Sequence, residues 1–247
     1  MTAVQNRIAA PRQAVSQVAS IRRALLAQIA QGLPEDGRLP AERQLSEQFA
    51  TTRITLREAL LQLEADGVLY REERRGWFVA PPRLHYDPTA RGYFERMVRE
   101  QSRIPHTRLL HVESMAATPT IAALLDIEPL APVYMIRRAR SIDGRRVLFV
   151  EHYLNSACFP HFERFGDKAL SRSLTELYRR YYDIEYGRVR FEITPAALPE
   201  LPARVLKVAA GSPALYVQRV NADQHGRWID CDLEYWRQDA IKVCIEA

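Results

Sequence analysis

Apolar residues recur at helical spacing at Val18, Ile21, Leu25 and Ile29, which predicts an amphipathic helix ending near Gly32. A second, shorter helix is predicted where Leu45 and Phe49 lie one turn apart. In a third, Leu56, Ala59, Leu60 and Leu63 repeat at i, i+3, i+4 and i+7, and Asp66-Gly67 supplies the stop signal. A β-hairpin with Glu73-Arg74-Arg75-Gly76 at its tip follows. Pro81, Pro82 and Pro88 then block regular helix and predict an extended linker over 81–90. Residues 1–16 carry little periodicity and read as a disordered N-terminus. This divides the chain into a helical domain with a hairpin over 17–80 and a larger domain over 91–247.

Beyond the linker, strands and helices alternate. Strand patterns run over 109–115, 133–142, 147–154, 187–194, 214–222, 228–236 and 241–245. Helical patterns run over 93–100, 119–125 (capped by Thr118), 170–182 and 199–208. Asp143-Gly144 and Gln224-His225-Gly226 are hairpin turns. Hairpin-joined strands with helices between them predict an α+β fold, an antiparallel sheet covered by helices on one face.

The third helix concentrates its polar residues, Thr52, Arg53, Thr55 and Arg57, in its first turn. Its free backbone N–H groups, its positive dipole end and two guanidinium groups therefore point one way, which suits a phosphate backbone. Arg53 and Arg57 lie one turn apart beside the apolar stripe, as a recognition helix in a major groove requires. The run Leu39-Pro40-Ala41-Glu42-Arg43, then Thr52-Arg53-Ile54-Thr55-Leu56-Arg57-Glu58-Ala59-Leu60, then Leu63, Gly67 and Arg75-Gly76-Trp77-Phe78-Val79 resembles the winged helix-turn-helix of the GntR regulators. The resemblance implies DNA contacts from Arg43, Thr52, Arg53, Thr55 and Arg57 on the helices and from Arg75 and Gly76 on the wing. The bland alternative is an amphipathic helical hairpin with solvated arginines.

The second domain resembles the effector-binding domain called UTRA, which marks the HutC branch of that family and has a chorismate lyase-like fold. The resemblance rests on Val133-Tyr134-Met135-Ile136-Arg137-Arg138-Ala139-Arg140 and on Asp143-Gly144 followed by Glu151-His152-Tyr153-Leu154. It continues through Leu206-Lys207-Val208, Gly211-Ser212-Pro213, Arg219 and the stretch 226–239. The chain departs from the pattern at Asp230, where Glu is usual, at Trp236, where Tyr is usual, and at Ala240-Ile241, which replaces Arg-Tyr. Arg138 and Arg140, two apart on a strand, share one face, and their forked donors suit a phosphate, phosphonate or carboxylate. The resemblance implies an effector site formed by this pair with Glu151, a serine at Ser171 or Ser173, an arginine at Arg188 or Arg190, Asp230 and Trp236. The competing reading is a salt-bridged sheet edge in which Glu151 pairs with Arg138 or Arg140.

Composition adds little and excludes more. The 247 residues include 35 Lys and Arg against 30 Asp and Glu, a net charge of +5 that mildly favours polyanionic partners. Three cysteines, Cys158, Cys231 and Cys244, lack C-x-x-C spacing and read as small apolar residues of a reducing compartment. The scattered histidines give no metal-ligand spacing, and no cofactor is implied. No apolar run is long enough to span a bilayer and no signal-peptide core is present, so a cytoplasmic chain is expected. No Gly-rich phosphate loop or nucleophile elbow points to an enzyme. The expected function is a ligand-responsive regulator: a homodimer on a pseudo-palindromic double-stranded DNA operator, released by a small anion such as a phosphonate or sugar phosphate. A lyase of related fold and an effector-independent architectural DNA binder are the alternatives.

Overall fold

The computed structural model describes residues 16–32, 37–72, 74–89 and 94–246. The expected disordered stretch 1–15, hairpin-tip Glu73 and Tyr93 lie outside the described residues. Ser16, grouped by sequence with that stretch, instead caps the first helix, its Oγ accepting from the Ala19 N–H at 3.2 Å. The chain divides into two compact units, Met1–Ala80 and Pro81–Ala247.

In the first unit, α1 (Gln17–Gln31), α2 (Glu42–Gln48) and α3 (Arg53–Ala65) precede the hairpin β1 (Leu69–Glu72) and β2 (Gly76–Val79). The apolar stripes meet as the spacing predicts: Ile21, Leu25, Leu45, Leu56, Ala59, Leu60 and Leu63 form one core with Leu39, Leu69 and Trp77. Each buried leucine or isoleucine among them stabilises the fold by roughly 1.5–3 kcal/mol. Gly67, at φ +72°, ends α3, and the next N–H, from Val68, returns to the Leu63 carbonyl at 2.9 Å. The segment before α2 joins the hairpin edge, Leu39 N–H donating to Trp77 C=O and Val79 N–H to Gly37 C=O.

The second unit runs β3 (Leu84–Tyr86), α4 (Phe94–Glu100), β4 (Pro105–Ala116), α5 (Pro119–Leu125), β5 (Pro132–Ile142) and β6 (Arg145–Asn155). Then come α6 (Asp167–Leu170), α7 (Leu174–Tyr182), β7 (Tyr186–Ala197), α8 (Glu200–Leu206), β8 (Pro213–Asp223), β9 (Trp228–Arg237) and β10 (Ile241–Val243). Six strands form one antiparallel sheet in the order β4-β5-β6-β9-β8-β7.

Three expectations need correction. The sheet is covered on both faces, because apolar residues of both parities along β5, β6 and β9 need cover. Ile136 and Leu154 pack with Phe159, Leu170 and α7 on one face, while Met135, Tyr153 and Cys231 pack on α5, and Phe149 on α8, on the other. The helix expected over 170–182 is two helices, since Ser173 caps α7 by accepting from the Glu176 N–H. The stretch 81–90 is not merely a linker: β3 pairs in parallel with β10 and buries Leu84 and Tyr86 against Phe94 and Trp236. Its prolines flank the paired residues, so they exclude helix without excluding a short edge strand.

Candidate functional site

The first unit gathers its basic groups around the start of α3. Thr52 Oγ1 accepts from the Thr55 N–H at 3.2 Å and lies 3.0 Å from Thr55 Oγ1, so both hydroxyls close the helix end. Arg53 is exposed, and so is Arg43, which pairs with Glu47 across one turn of α2. Arg57 donates to Glu42 Oε2 at 2.9 Å, and Trp77 of the wing donates to the other oxygen of the same carboxylate at 3.0 Å. Burial works against the ionised Glu42, but those two donors hold its pKa below the ordinary value. One carboxylate thus ties α2, the recognition helix and the wing together. On the wing, Arg75 pairs with Glu72 and lies over the Phe78 ring, and Gly76 takes φ +103° at the turn. On α3, Ile54, between Arg53 and Thr55, is 83% exposed.

In the second unit, the face of the sheet under α7 holds a cavity of about 250 Å³, walled by Thr89, Phe94, Thr107 and the start of α7. Its floor is polar: Arg138, Arg140, His152, Arg219, Asn221, Asp232 and Glu234. Arg138 is anchored to the protein, its Nε donating to His152 Nε2 at 2.9 Å and one terminal nitrogen to the carbonyls of Leu170 and Arg172. His152 accepts at Nε2, so its proton sits on Nδ1, which donates to Asp232 Oδ1 at 2.5 Å. Burial and then Arg138 lower the His152 pKa to about 4, which keeps the ring neutral, and burial with Arg140 lowers Arg138 to about 9. Burial raises the Asp232 carboxyl, but His152, Arg219 and Arg140 outweigh it and hold the group ionised. Glu234 is raised by burial and by Asp232; its Oε2 accepts from the Trp236 indole at 2.6 Å. Arg140 stacks over Phe94 at 4.9 Å, and its Nε is sealed from solvent with no acceptor among the described residues.

The residues expected at the effector site are only partly brought together. Arg138, Arg140 and Ser173 line the cavity, and so does Arg188, although its guanidinium lies over Trp228 at 4.4 Å. Glu151 does not: it pairs with Arg137 at 2.6 Å on the opposite face. Val147 is an extra residue between the pairs Ser141↔Arg146 and Arg140↔Leu148. That bulge reverses the parity of everything after it on β6, so His152 and not Glu151 faces the cavity. Ser171 ends α6 away from the lining, and Arg190 donates to the Leu124 carbonyl beside Trp228. Asp230 is on the correct face but buried behind the lining, accepting from Tyr186 and Asn221 at 2.6 Å each. Burial and then Asp232 raise its pKa to about 7. Trp236 lies in the core against Tyr86 and Phe94. Sequence reading chose the two ends of the face-sharing series 230, 232, 234, 236 and missed Asp232 and Glu234 between them. The period-2 rule that placed Arg138 beside Arg140 would have found both.

Among the described residues no cluster of His, Cys, Asp and Glu is arranged to hold a metal ion. None of their helices is long and apolar enough to cross a membrane.

Comparison with known proteins agrees with this division. Residues 17–79 match the model of bacterial regulatory proteins of the gntR family, and residues 100–242 match the UTRA domain. The chain is 32% identical over 210 residues to the uncharacterized HTH-type transcriptional regulator YihL of Escherichia coli (strain K12), covering 85% of this chain and 88% of that one. It is 29% identical over 210 residues to the HTH-type transcriptional repressor NagR of Bacillus subtilis (strain 168), covering 84% of each. Among solved structures, PhnF from Mycobacterium smegmatis superposes with a TM-score of 0.63 at 27% identity, covering 91% of this chain and 99% of that one.

Proposed function

This chain belongs to the gntR family of bacterial regulatory proteins, with a UTRA domain as its second unit, and on that footing we propose that it is a repressor released by a small phosphoryl-bearing metabolite. The observation that carries the reading is Arg140. Its Nε is a buried donor without an acceptor among the described residues, in a cavity whose polar floor it shares with Arg138 and Arg219. A buried donor left unpaired is costly, and an oxyanion is the ligand that satisfies it best. Phosphonates and sugar phosphates both supply one, and the Asp232 and Glu234 carboxylates beside it suit hydroxyl or ammonium groups on the rest of such a ligand. Repression follows the name of NagR. Recognition of DNA falls to Arg43, Thr52, Arg53, Thr55 and Arg57 with Arg75 and Gly76, in a homodimer whose two recognition helices meet half-sites about one helical turn apart.

The test measures operator binding by Arg140→Ala and by the wild type while a panel of small phosphates and phosphonates is titrated in. The variant is expected to bind operator at wild-type affinity and to resist release by anions that release the wild type. Equal release of both proteins places the anion elsewhere.

A further inference from the structure

Arg140 is not the cavity's only buried donor without a protein partner. Tyr178 also lines the cavity, and its buried hydroxyl too has no partner among the described residues. The two stand in different surroundings. Arg140 stacks over Phe94 on the cross-strand row Arg140–Leu148–Trp236, whereas the Tyr178 ring meets Tyr186, whose hydroxyl bonds Asp230 on the row Tyr134–Leu154–Asp230. Asp232, on the row Ile136–His152–Asp232, lies between those two rows, so the donors mark two ends of one cavity.

Packing alone does not call for a tyrosine. The Tyr178 ring sits 4.6 Å from Phe159 and 6.2 Å from Tyr186, and phenylalanine would fill that place equally well. Tyr186 shows the contrast, since its buried hydroxyl is matched by Asp230 at 2.6 Å. Of the neighbours at the Tyr178 end, Asp230 and Asp232 repel a second full negative charge there, and Arg138 spends three donor contacts on His152, Leu170 and Arg172. An uncharged oxygen, a hydroxyl or carbonyl, is what this end accepts.

We infer that the cavity takes a two-ended ligand: an oxyanion held at the Arg140–Arg219 end, and an uncharged oxygen that accepts from the Tyr178 hydroxyl. Tyr178 is then a specificity-determining residue that separates phosphoryl compounds by what they carry at the other end. This rests on the anion-site reading above and adds the second contact to it.

Calorimetric titration of the full-length protein with two matched series tests the inference. One series is ethyl, propyl and butyl phosphate; the other is 2-hydroxyethyl, 3-hydroxypropyl and 4-hydroxybutyl phosphate. In the wild type one hydroxylated member, of the length that spans the cavity, should bind about tenfold tighter than its alkyl match. Tyr178→Phe should erase that gain and leave the alkyl phosphates unchanged. It should also leave the thermal midpoint of the ligand-free protein equal or higher, because an unmatched hydroxyl is lost and the ring contacts stay. A hydroxyl gain that is absent from the wild type, or that survives in Tyr178→Phe, overturns the inference and spares the anion site. A lowered midpoint in the ligand-free variant also overturns it, since the hydroxyl would then be serving the fold. If no phosphate of either series binds the wild type, the anion site falls and this inference falls with it.

Discussion

Arg138 donates to His152 and to two backbone carbonyls, whereas the Arg140 Nε meets no acceptor among the described residues, although the two residues share a strand face. Substituting them should therefore have different consequences. Arg138→Ala strands a buried imidazole and two carbonyls and should lower stability by about 3–5 kcal/mol in urea unfolding. Arg140→Ala strands no hydrogen-bond acceptor among the described residues but removes a charge that favours ionised Asp232 and Glu234. Its cost should be the smaller of the two, about 1–3 kcal/mol, and should shrink as pH falls. Similar losses in both variants would contradict this division of roles. The same polar floor sets a pH response. The His152 pKa falls from 6.5 to about 4 on folding, so its contribution is present above the unfolded value and fades as pH drops through that window. Asp230 moves the other way, from 3.8 to about 7, so its contribution is present at low pH and is lost as pH rises towards 7. The two slopes oppose each other between about pH 4 and 7. Asp230→Asn removes one of them. Between pH 7 and 4.5 that variant should lose more stability than the wild type does, by up to about 3 kcal/mol. Parallel stability curves for the two proteins would show that Asp230 does not titrate as its burial dictates.

Single positions also decide where whole elements begin, and this is where sequence reading succeeded or failed. The helix Pro119–Leu125 was legible to the residue because Thr118 and Pro119 supply a cap and a fixed first turn. The β5–β6 hairpin was legible from Asp143-Gly144, both of which take positive φ. The bulge at Val147 was not, because nothing in the apolar alternation shows which strand carries an extra residue, and that one residue moved Glu151 out of the site. The break before α7 was available in Ser173-Leu174-Thr175-Glu176, a capping sequence, but the apolar periodicity runs across it from Leu170 to Leu174 and hid it. Ser173→Ala should cost about 1 kcal/mol and fray the turn that walls the cavity, visible as faster amide exchange at Glu176. Gly187 tests the opposite wall. A Cβ there would stand 2.3 Å from the Asp223 carbonyl oxygen, so Gly187→Ala must shift β7 from β8. It should destabilise by roughly 1–3 kcal/mol. Wild-type stability in Gly187→Ala would mean that this edge of the sheet yields freely.

For the molecule as a whole, the proposed function makes the two units separate halves of a switch, and the chain after Ala80 is already part of the second unit. The sequence leaves the first unit at Ala80; β3 then buries Tyr86 against Trp236, Thr89 lines the cavity, and Phe94 carries Arg140. A ligand that engages Arg140 therefore acts on the segment that leads back to the DNA-reading unit. Hundredfold release needs only about 2.7 kcal/mol of coupling between the two sites. The salt dependence of operator binding tells how that coupling is used. A dimer that neutralises about eight phosphates should show log K falling with log salt at a slope near −7. If the ligand takes one recognition helix out of its groove, the residual complex keeps half of those contacts and its slope falls to about −3.6. If the ligand instead weakens both half-sites evenly while all contacts persist, the slope stays near −7 and only the intercept drops. The first outcome is the one expected, because Thr89 and Phe94 of the segment that follows the first unit line the cavity. An unchanged slope in the liganded complex would reject that form of release.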